Sequence, residues 1–247
     1  MHRYASCCED FYCNVTINTE MELNSGRESA IHFFEQLRKR YPVMKNFYAR
    51  ERGEFVLEED KERGHYRWAS CESKRICSGL VNPDSIEEAF EQHRFVTGLA
   101  PFALGASPLD CESLNVVFGF DFTYRGNHNH LVAQALGLPP AFEGLLDLPG
   151  ASTISYEPSV QIAMDESCRT QCRISIETRS NAYQVRTGEF PEEQLSVYVT
   201  LRRYGSLDSS EDFVSAIDKL GTLCQDVVDR FVVDQILLPL QQSISIH

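Results

Sequence analysis

The densest run of side chains with chemical capacity is Arg125-Gly126-Asn127-His128-Asn129-His130. Two histidines at i and i+2 face one metal ion only from an extended segment, and a metal site there needs a third ligand such as Asp121 or Glu143. The same run also reads as a turn and a helix N-cap, with Asn127 or Asn129 capping. Arg125, His128 and His130 are therefore candidate ligand-binding residues, with no metal expected. A second constellation is the arginine ladder Arg169, Arg173, Glu177 and Arg179, joined by Arg186, Arg202 and Arg203. In a strand, Arg173, Ser175, Glu177 and Arg179 project opposite Ile174 and Ile176, and Tyr198, Thr200 and Arg202 can line the same open face. Such a face suits an anionic ligand, a peptide or a single-stranded nucleic acid. It also suits a solvated sheet surface held by cross-strand pairs. The residues singled out from it are Arg173, Arg179, Tyr198 and Arg202.

Catalytic signatures are missing from the sequence. It contains no Gly-x-Ser-x-Gly elbow, no phosphate-cradling Gly-x4-Gly-Lys-Ser/Thr, no Gly-x-Gly-x-x-Gly and no His-Glu-x-x-His. The adjacent acids Asp165-Glu166 and Glu192-Glu193 fall in turns, where solvation accounts for them. No catalytic residue and no cofactor are expected. The nine cysteines (Cys7, Cys8, Cys13, Cys71, Cys77, Cys111, Cys168, Cys172 and Cys224) are odd in number and irregular in spacing. Neither Cys168-x3-Cys172 nor Cys71-x5-Cys77 gives a zinc knuckle, so small buried hydrophobes and a few surface thiols are the expectation, without disulfides. The first ten residues lack the apolar core of a signal peptide, and a cytoplasmic location follows as an expectation.

Charge narrows the partners. The 36 acids and 23 bases give a net charge of −13. Up to Asp110 there are 14 bases and 18 acids; after it there are 9 and 18. Duplex nucleic acid and anionic membranes are disfavoured, because both reward a surplus of Lys and Arg. No run approaches the roughly 20 apolar residues that a bilayer span needs.

The elements that must position these groups follow from the hydrophobic period. Val15, Ile17, Thr19, Met21 and Leu23 alternate with polar residues, which predicts a half-buried strand over 12–24. Ser25 to Glu28 has capping-box spacing, and Ile31, Phe34, Leu37 and Tyr41 share one helical face closed by Pro42. A hairpin broken at Arg52-Gly53 is predicted between Phe47 and Glu59. Strands follow at Tyr66 to Ser70 and Ile76 to Val81, then a helix from Ser85 to about Phe95. The second part repeats this order. A strand over 114–124 carries Val116, Phe118, Phe120, Phe122 and Tyr124 on one face, and a helix runs from about Asn129 to Leu136. Strands centred on Ile162, Ile174 and Val199 lead to a last helix from about Glu211 to Leu238. That helix starts at Ser209-Ser210-Glu211-Asp212, steps through Phe213, Ile217, Leu220, Cys224, Val227, Phe231 and Gln235, and ends at Pro239. Its apolar positions exceed one stripe, which predicts either sandwiching within the chain or a homo-oligomer through this helix.

The fold expected is α+β: two similar β-α-β-β-(β)-α halves, over 1–110 and 111–247, forming one curved antiparallel sheet with helices on one face. Phe55-Val56-Leu57-Glu58-Glu59, Tyr66-Arg67-Trp68, Ile76-Cys77-Ser78-Gly79-Leu80-Val81 and the strand Leu114 to Tyr124 carry a resemblance. Their arrangement resembles a sporadically distributed family of uncharacterised bacterial proteins of about 250 residues. In that family the strand after the middle helix tends to end Arg-Tyr-Asn, whereas here it ends Phe122-Thr123-Tyr124-Arg125-Gly126-Asn127. The element order also resembles the duplicated, saddle-shaped fold of the TATA-binding-protein class. Neither resemblance implies an activity. A non-enzymatic binding or assembly protein, using an open sheet face or the last helix, is the leading expectation. The alternatives are a thioesterase-like enzyme of double-hot-dog type and a single-stranded nucleic-acid-binding saddle.

Overall fold

The computed structural model describes residues 4–50, 53–208 and 212–246. Its frame is one nine-stranded antiparallel sheet: β1 (Asp10–Thr19), β2 (Asn46–Ala49), β3 (Phe55–Glu58), β4 (Tyr66–Glu72), β5 (Arg75–Val81), β6 (Cys111–Tyr124), β7 (Ser159–Ala163), β8 (Thr170–Glu177) and β9 (Glu193–Tyr204). The order across the sheet is β2-β3-β4-β5-β1-β6-β9-β8-β7. β1 and β6 lie side by side near its middle, with Cys13 opposite Phe118 and Val15 opposite Val116.

Period-two alternation decides which side of the sheet each residue serves. On β1 the buried phase is Phe11, Cys13, Val15, Ile17 and Thr19. Register carries that side across β6 and β9 through Leu114, Val116, Phe118 and Phe120, then Val197, Val199 and Leu201. Edge-on aromatic contacts, such as Phe11 with Phe118 at 5.4 Å, knit its centre. Helix α2 (Ile86–Leu104) packs on β1 and β5, and α5 (Phe213–Val227) packs on β6 and β9. Ser85 caps α2 by accepting from Glu88 N, while Asp212 and Ser215 form a capping box on α5. Helix α1 (Arg27–Arg40) lies against α2. Helix α3 (His128–Leu136) lies against the C-terminal α6 (Leu238–Ile246), and α4 (Ala182–Thr187) is a short helix between β8 and β9.

Several sequence expectations need correction. The strand expected over 12–24 begins at Asp10 and ends at Thr19, because the chain turns away where Thr19 Oγ1 donates to Met21 O. No side-chain cap forms at Ser25; Gly26 occupies the N-cap of α1. Helix α2 does not stop near Phe95. It runs to Leu104, tolerates Pro101 in its last turn, and ends at Gly105 in the left-handed region. Pro239 does not end the last helix either. A π-helical stretch, Val228–Leu237, precedes it, with Leu238 N donating to Val233 O, and the helix continues to Ile246. The wider π turn moves the buried stripe to Val228, Val232, Ile236 and Leu240, leaving Phe231 and Gln235 exposed. Val228 and Leu237, in the half of this helix expected to offer surplus apolar surface, are fully buried within the chain. Ser209 to Glu211, expected to start this helix, and Arg52, at the hairpin break, lie outside the described residues. No helix among the described residues is long and apolar enough to cross a membrane. Eight cysteines are buried and Cys168 is exposed.

Candidate functional site

The other side of the sheet carries the opposite phase of every strand, and three cross-strand rows build a site at its centre. One row runs Tyr66, Val81, Tyr12, Gly119, Tyr198. The next runs Trp68, Gly79, Asn14. The third runs Asp10, Asp121, Ser196, Glu177. The glycines explain the geometry. A Cβ on Gly119 would fall on the Tyr12 ring, and one on Gly79 would fall on Trp68 Nε1 and Asn14 Oδ1. Both rings therefore lie over bare backbone, an approach that glycine in a strand permits. Tyr12 meets Tyr198 edge-on, with ring centres 6.3 Å apart. Together with Lys61, Gly64, Arg179 and Gln194, these residues enclose a cleft of about 410 Å³.

Its polar floor is fixed by a single turn residue. Asn82 adopts φ +49°, a left-handed conformation that asparagine tolerates. Its Nδ2 donates to Asp10 Oδ1 at 2.6 Å and to Gly64 O at 2.8 Å, while its Oδ1 accepts from Phe11 N at 2.9 Å. That ties the start of β1, the end of β5 and the Gly64 rim together. Asp121, opposite Asp10, is only 9% exposed, and its Oδ1 has no hydrogen-bond partner. Burial holds the Asp121 carboxyl above the ordinary range. A hydrogen bond from Ser196 opposes the shift, nearby Asp10 adds to it, and Arg179 opposes it in turn. Asn14 Oδ1 is a second buried acceptor without a partner. Burial, then the hydrogen bond with Tyr198, pushes the Tyr12 hydroxyl far above its ordinary value and keeps it neutral. Both cations at the rim are already matched: Lys61 Nζ lies 3.0 Å from Glu58, and Arg179 Nη1 lies 3.4 Å from Glu177.

The seven residues singled out from the sequence disperse. Arg179 and Tyr198 line the cleft. Arg173 and Arg202 share its face of the sheet, opposite Thr200 and Gln171 respectively. Arg173 donates to Ser159 Oγ, and Arg202 donates to Asn115 Oδ1 and to the Tyr204 hydroxyl. Arg125 is exposed beside α4 and donates to Phe190 O. His128 and His130 do not converge. Asn127 caps α3 by accepting from His130 N, which leaves His130 exposed and His128 buried. His128 Nδ1 accepts from Arg179 N at 3.3 Å, so Nε2 carries the proton towards Tyr124 O at 3.1 Å. Burial lowers its pKa and keeps it neutral. His128 thus positions the backbone of Arg179 and does not reach the cleft itself. Among the described residues no group of three or more His, Cys, Asp or Glu could hold a metal ion. The residues that sequence reasoning missed are Tyr12, Asn14, Tyr66, Trp68, Asp10 and Ser196.

A second concavity, of about 740 Å³, lies on the helix side between β7, β8 and the π stretch. It is lined largely by Val160, Ile162, Ile174, Val227, Phe231 and Ile236. It offers apolar contact but few directional groups.

No protein-family model matches the chain. No curated protein sequence matches it either. Among solved structures, an alkyldihydroxyacetonephosphate synthase is similar at a TM-score of 0.18 and 10% identity, over 95% of this chain. The chain spans 43% of that protein's length, and a likeness at this TM-score carries nothing about fold or activity.

Proposed function

We propose that the chain is a non-enzymatic binding protein whose site is the aromatic cleft on the open face of the sheet. The observation that carries this reading is the pair of buried acceptors, Asp121 Oδ1 and Asn14 Oδ1, left without partners beside two flat-lying rings. Buried polar atoms are nearly always paired, so a donor from outside the chain is the natural complement. Aromatic walls with a few directed polar groups are the usual anatomy of a ligand site. Phosphate-rich ligands fit poorly, because Asp10, Asp121, Glu58 and Glu177 outnumber Lys61 and Arg179 around the cleft. The strand order also runs outward from β1 through β5, β4, β3 and β2, and from β6 through β9, β8 and β7. This supports two similar halves joined at β1 and β6, with β2 as an additional edge strand on the first.

The chain contains one tryptophan, Trp68, and it lines the cleft. Its fluorescence therefore reports on the site without a label. Titration with small planar compounds of positive, zero and negative charge should give a saturable emission change with one charge class. Silence from every class up to tens of millimolar would leave water as the partner of these acceptors and sink the reading.

A homodimer through the C-terminal helix is a second reading, supported by the apolar groove beside Phe231, which is 51% exposed. Sedimentation as a monomer of 28.1 kDa at micromolar concentration would exclude it.

A further inference from the structure

We infer that the group the cleft accepts is a planar organic cation of the guanidinium class, held by Asp121 and Asn14 and stacked against Tyr12 and Trp68. This rests on the cleft being the binding site and adds the charge and shape of its occupant. Three independent features converge on it. The first is the hydrogen-bond inventory. The unmatched groups, Asp121 Oδ1 and Asn14 Oδ1, are both acceptors, so the missing partner must donate twice and need not accept. A guanidinium is donor-only, presenting five N–H groups in a rigid fork. The second is ring placement. Gly119 and Gly79 let the Tyr12 and Trp68 rings approach the bare backbone, and both rings line the cleft. A flat cation stacks on such rings through both dispersion and the ring quadrupole.

The third feature is the charge balance. Asp10 and Asp121 sit opposite each other across β1 and β6. Lys61 and Arg179 do not neutralise them fully, because each is engaged by its own carboxylate, Glu58 and Glu177. The cleft thus holds uncompensated negative charge at a carboxylate more than nine-tenths buried. Burial raises the Asp121 pKa, Asp10 adds to the shift, and neither the Ser196 hydrogen bond nor Arg179 cancels it. A neutral donor would fill the hydrogen bonds but leave that charge; an anion would add to it.

Two sources share this chemistry: a free small cation and the arginine side chain of a peptide. The test uses the full chain, Trp68 emission and calorimetry, with methylguanidinium, methylurea, acetate and the peptide acetyl-Gly-Arg-Gly-amide. Methylguanidinium should bind at least tenfold tighter than its neutral isostere methylurea, and acetate should not bind. Asp121→Asn, which keeps the shape and removes the charge, should weaken methylguanidinium at least tenfold. Asn14→Leu should weaken it severalfold, and both variants should keep the native circular dichroism. Peptide binding at least tenfold tighter than methylguanidinium assigns the site to arginine side chains; equal or weaker binding assigns it to free cations. Methylurea or acetate binding as well as methylguanidinium would overturn the cation assignment while leaving the cleft a binding site. An unchanged affinity in folded Asp121→Asn would overturn it too. Silence from all four compounds would instead overturn the binding site itself.

Discussion

The two sides of the central strands are built from the same ten to fourteen residues and solve opposite problems. On the helix side, β1 and β6 present Phe11, Cys13, Val15, Phe118 and Phe120, all buried and mutually packed. On the other side they present Tyr12, Asn14, Gly119 and Asp121, half-buried or buried beside a cleft that none of the described residues fills. The helix side is closely packed at its centre, although Gln92 Oε1 has no partner there; the other side has rings lying over glycines and two unpartnered buried acceptors beside a cleft. Apolar packing is concentrated on the first side, and polar groups that line a cleft on the second. A buried titratable group marks each. His93, on α2, bonds Ser78 Oγ on the helix side at 2.9 Å, and burial lowers its pKa to about 3. Asp121, on the cleft side, is shifted upward by burial.

The largest effect should come from truncating the helix side. Phe118→Ala removes a fully buried ring in contact with Phe11, and chemical denaturation should show a loss of about 3–5 kcal/mol. A loss below about 1 kcal/mol would mean that the packing difference between the two sides is not real.

Acid separates the sides by sign. Folding keeps His93 neutral, whereas the unfolded chain protonates it below about pH 6.5. Its contribution is therefore complete above pH 6.5 and is lost as pH falls towards 3. The loss is about 1.4 kcal/mol per pH unit, or about 2 kcal/mol between pH 6.5 and 5. Urea midpoints of wild type and His93→Gln across that range should converge as the pH falls.

Filling a cleft glycine should cost less stability and more structure. Gly119→Ala forces the Tyr12 ring off its seat, at about 1–2 kcal/mol, because the ring can swing into the cleft. Methylguanidinium binding should disappear in this variant. Retained binding would mean that the ring platform is not used.

The smallest effect carries the opposite sign. Asp121 has a raised pKa in the fold, so its favourable contribution is present in acid and is lost as pH rises through the folded value. Asp121→Asn should therefore raise Tm at neutral pH, and the gain should vanish in acid. A neutral-pH loss would show that the Ser196 hydrogen bond outweighs the cost of burying the charge.

The helix side was the legible one. Alternation of Val116, Phe118, Phe120 and Phe122, or of Val197, Val199 and Leu201, locates a strand and its buried face because burial requires one residue type. The mixed helix-and-sheet class followed from those periods. Helix α4 escaped, since six residues without a buried position carry no apolar period, and its capping box, Asn181 with Gln184, and its Gly188 cap are its local signals. The π stretch escaped because a change of helical register leaves no mark in composition. Most of the cleft was illegible for a related reason. Tyr12, Asn14 and Trp68 occupy the phase of their strands that reads as solvated, and no motif joins β1, β4, β6 and β9. Gly79 and Gly119, isolated in otherwise apolar strands, were the available signal for close approach. The arginines drew attention because they are charged. Arg173 and Arg202 are satisfied along the same face, and of the seven residues singled out only Arg179 and Tyr198 reach the cleft.

Amide chemical-shift mapping separates the two sides most directly. With uniformly ¹⁵N-labelled chain and methylguanidinium, the largest shifts should fall at Tyr12, Asn14, Trp68, Asp121 and Tyr198. Val160, Ile174 and Phe231, around the helix-side groove, should stay unchanged. Shifts confined to that groove, or an unchanged spectrum at saturating ligand, would contradict the cleft as the binding site.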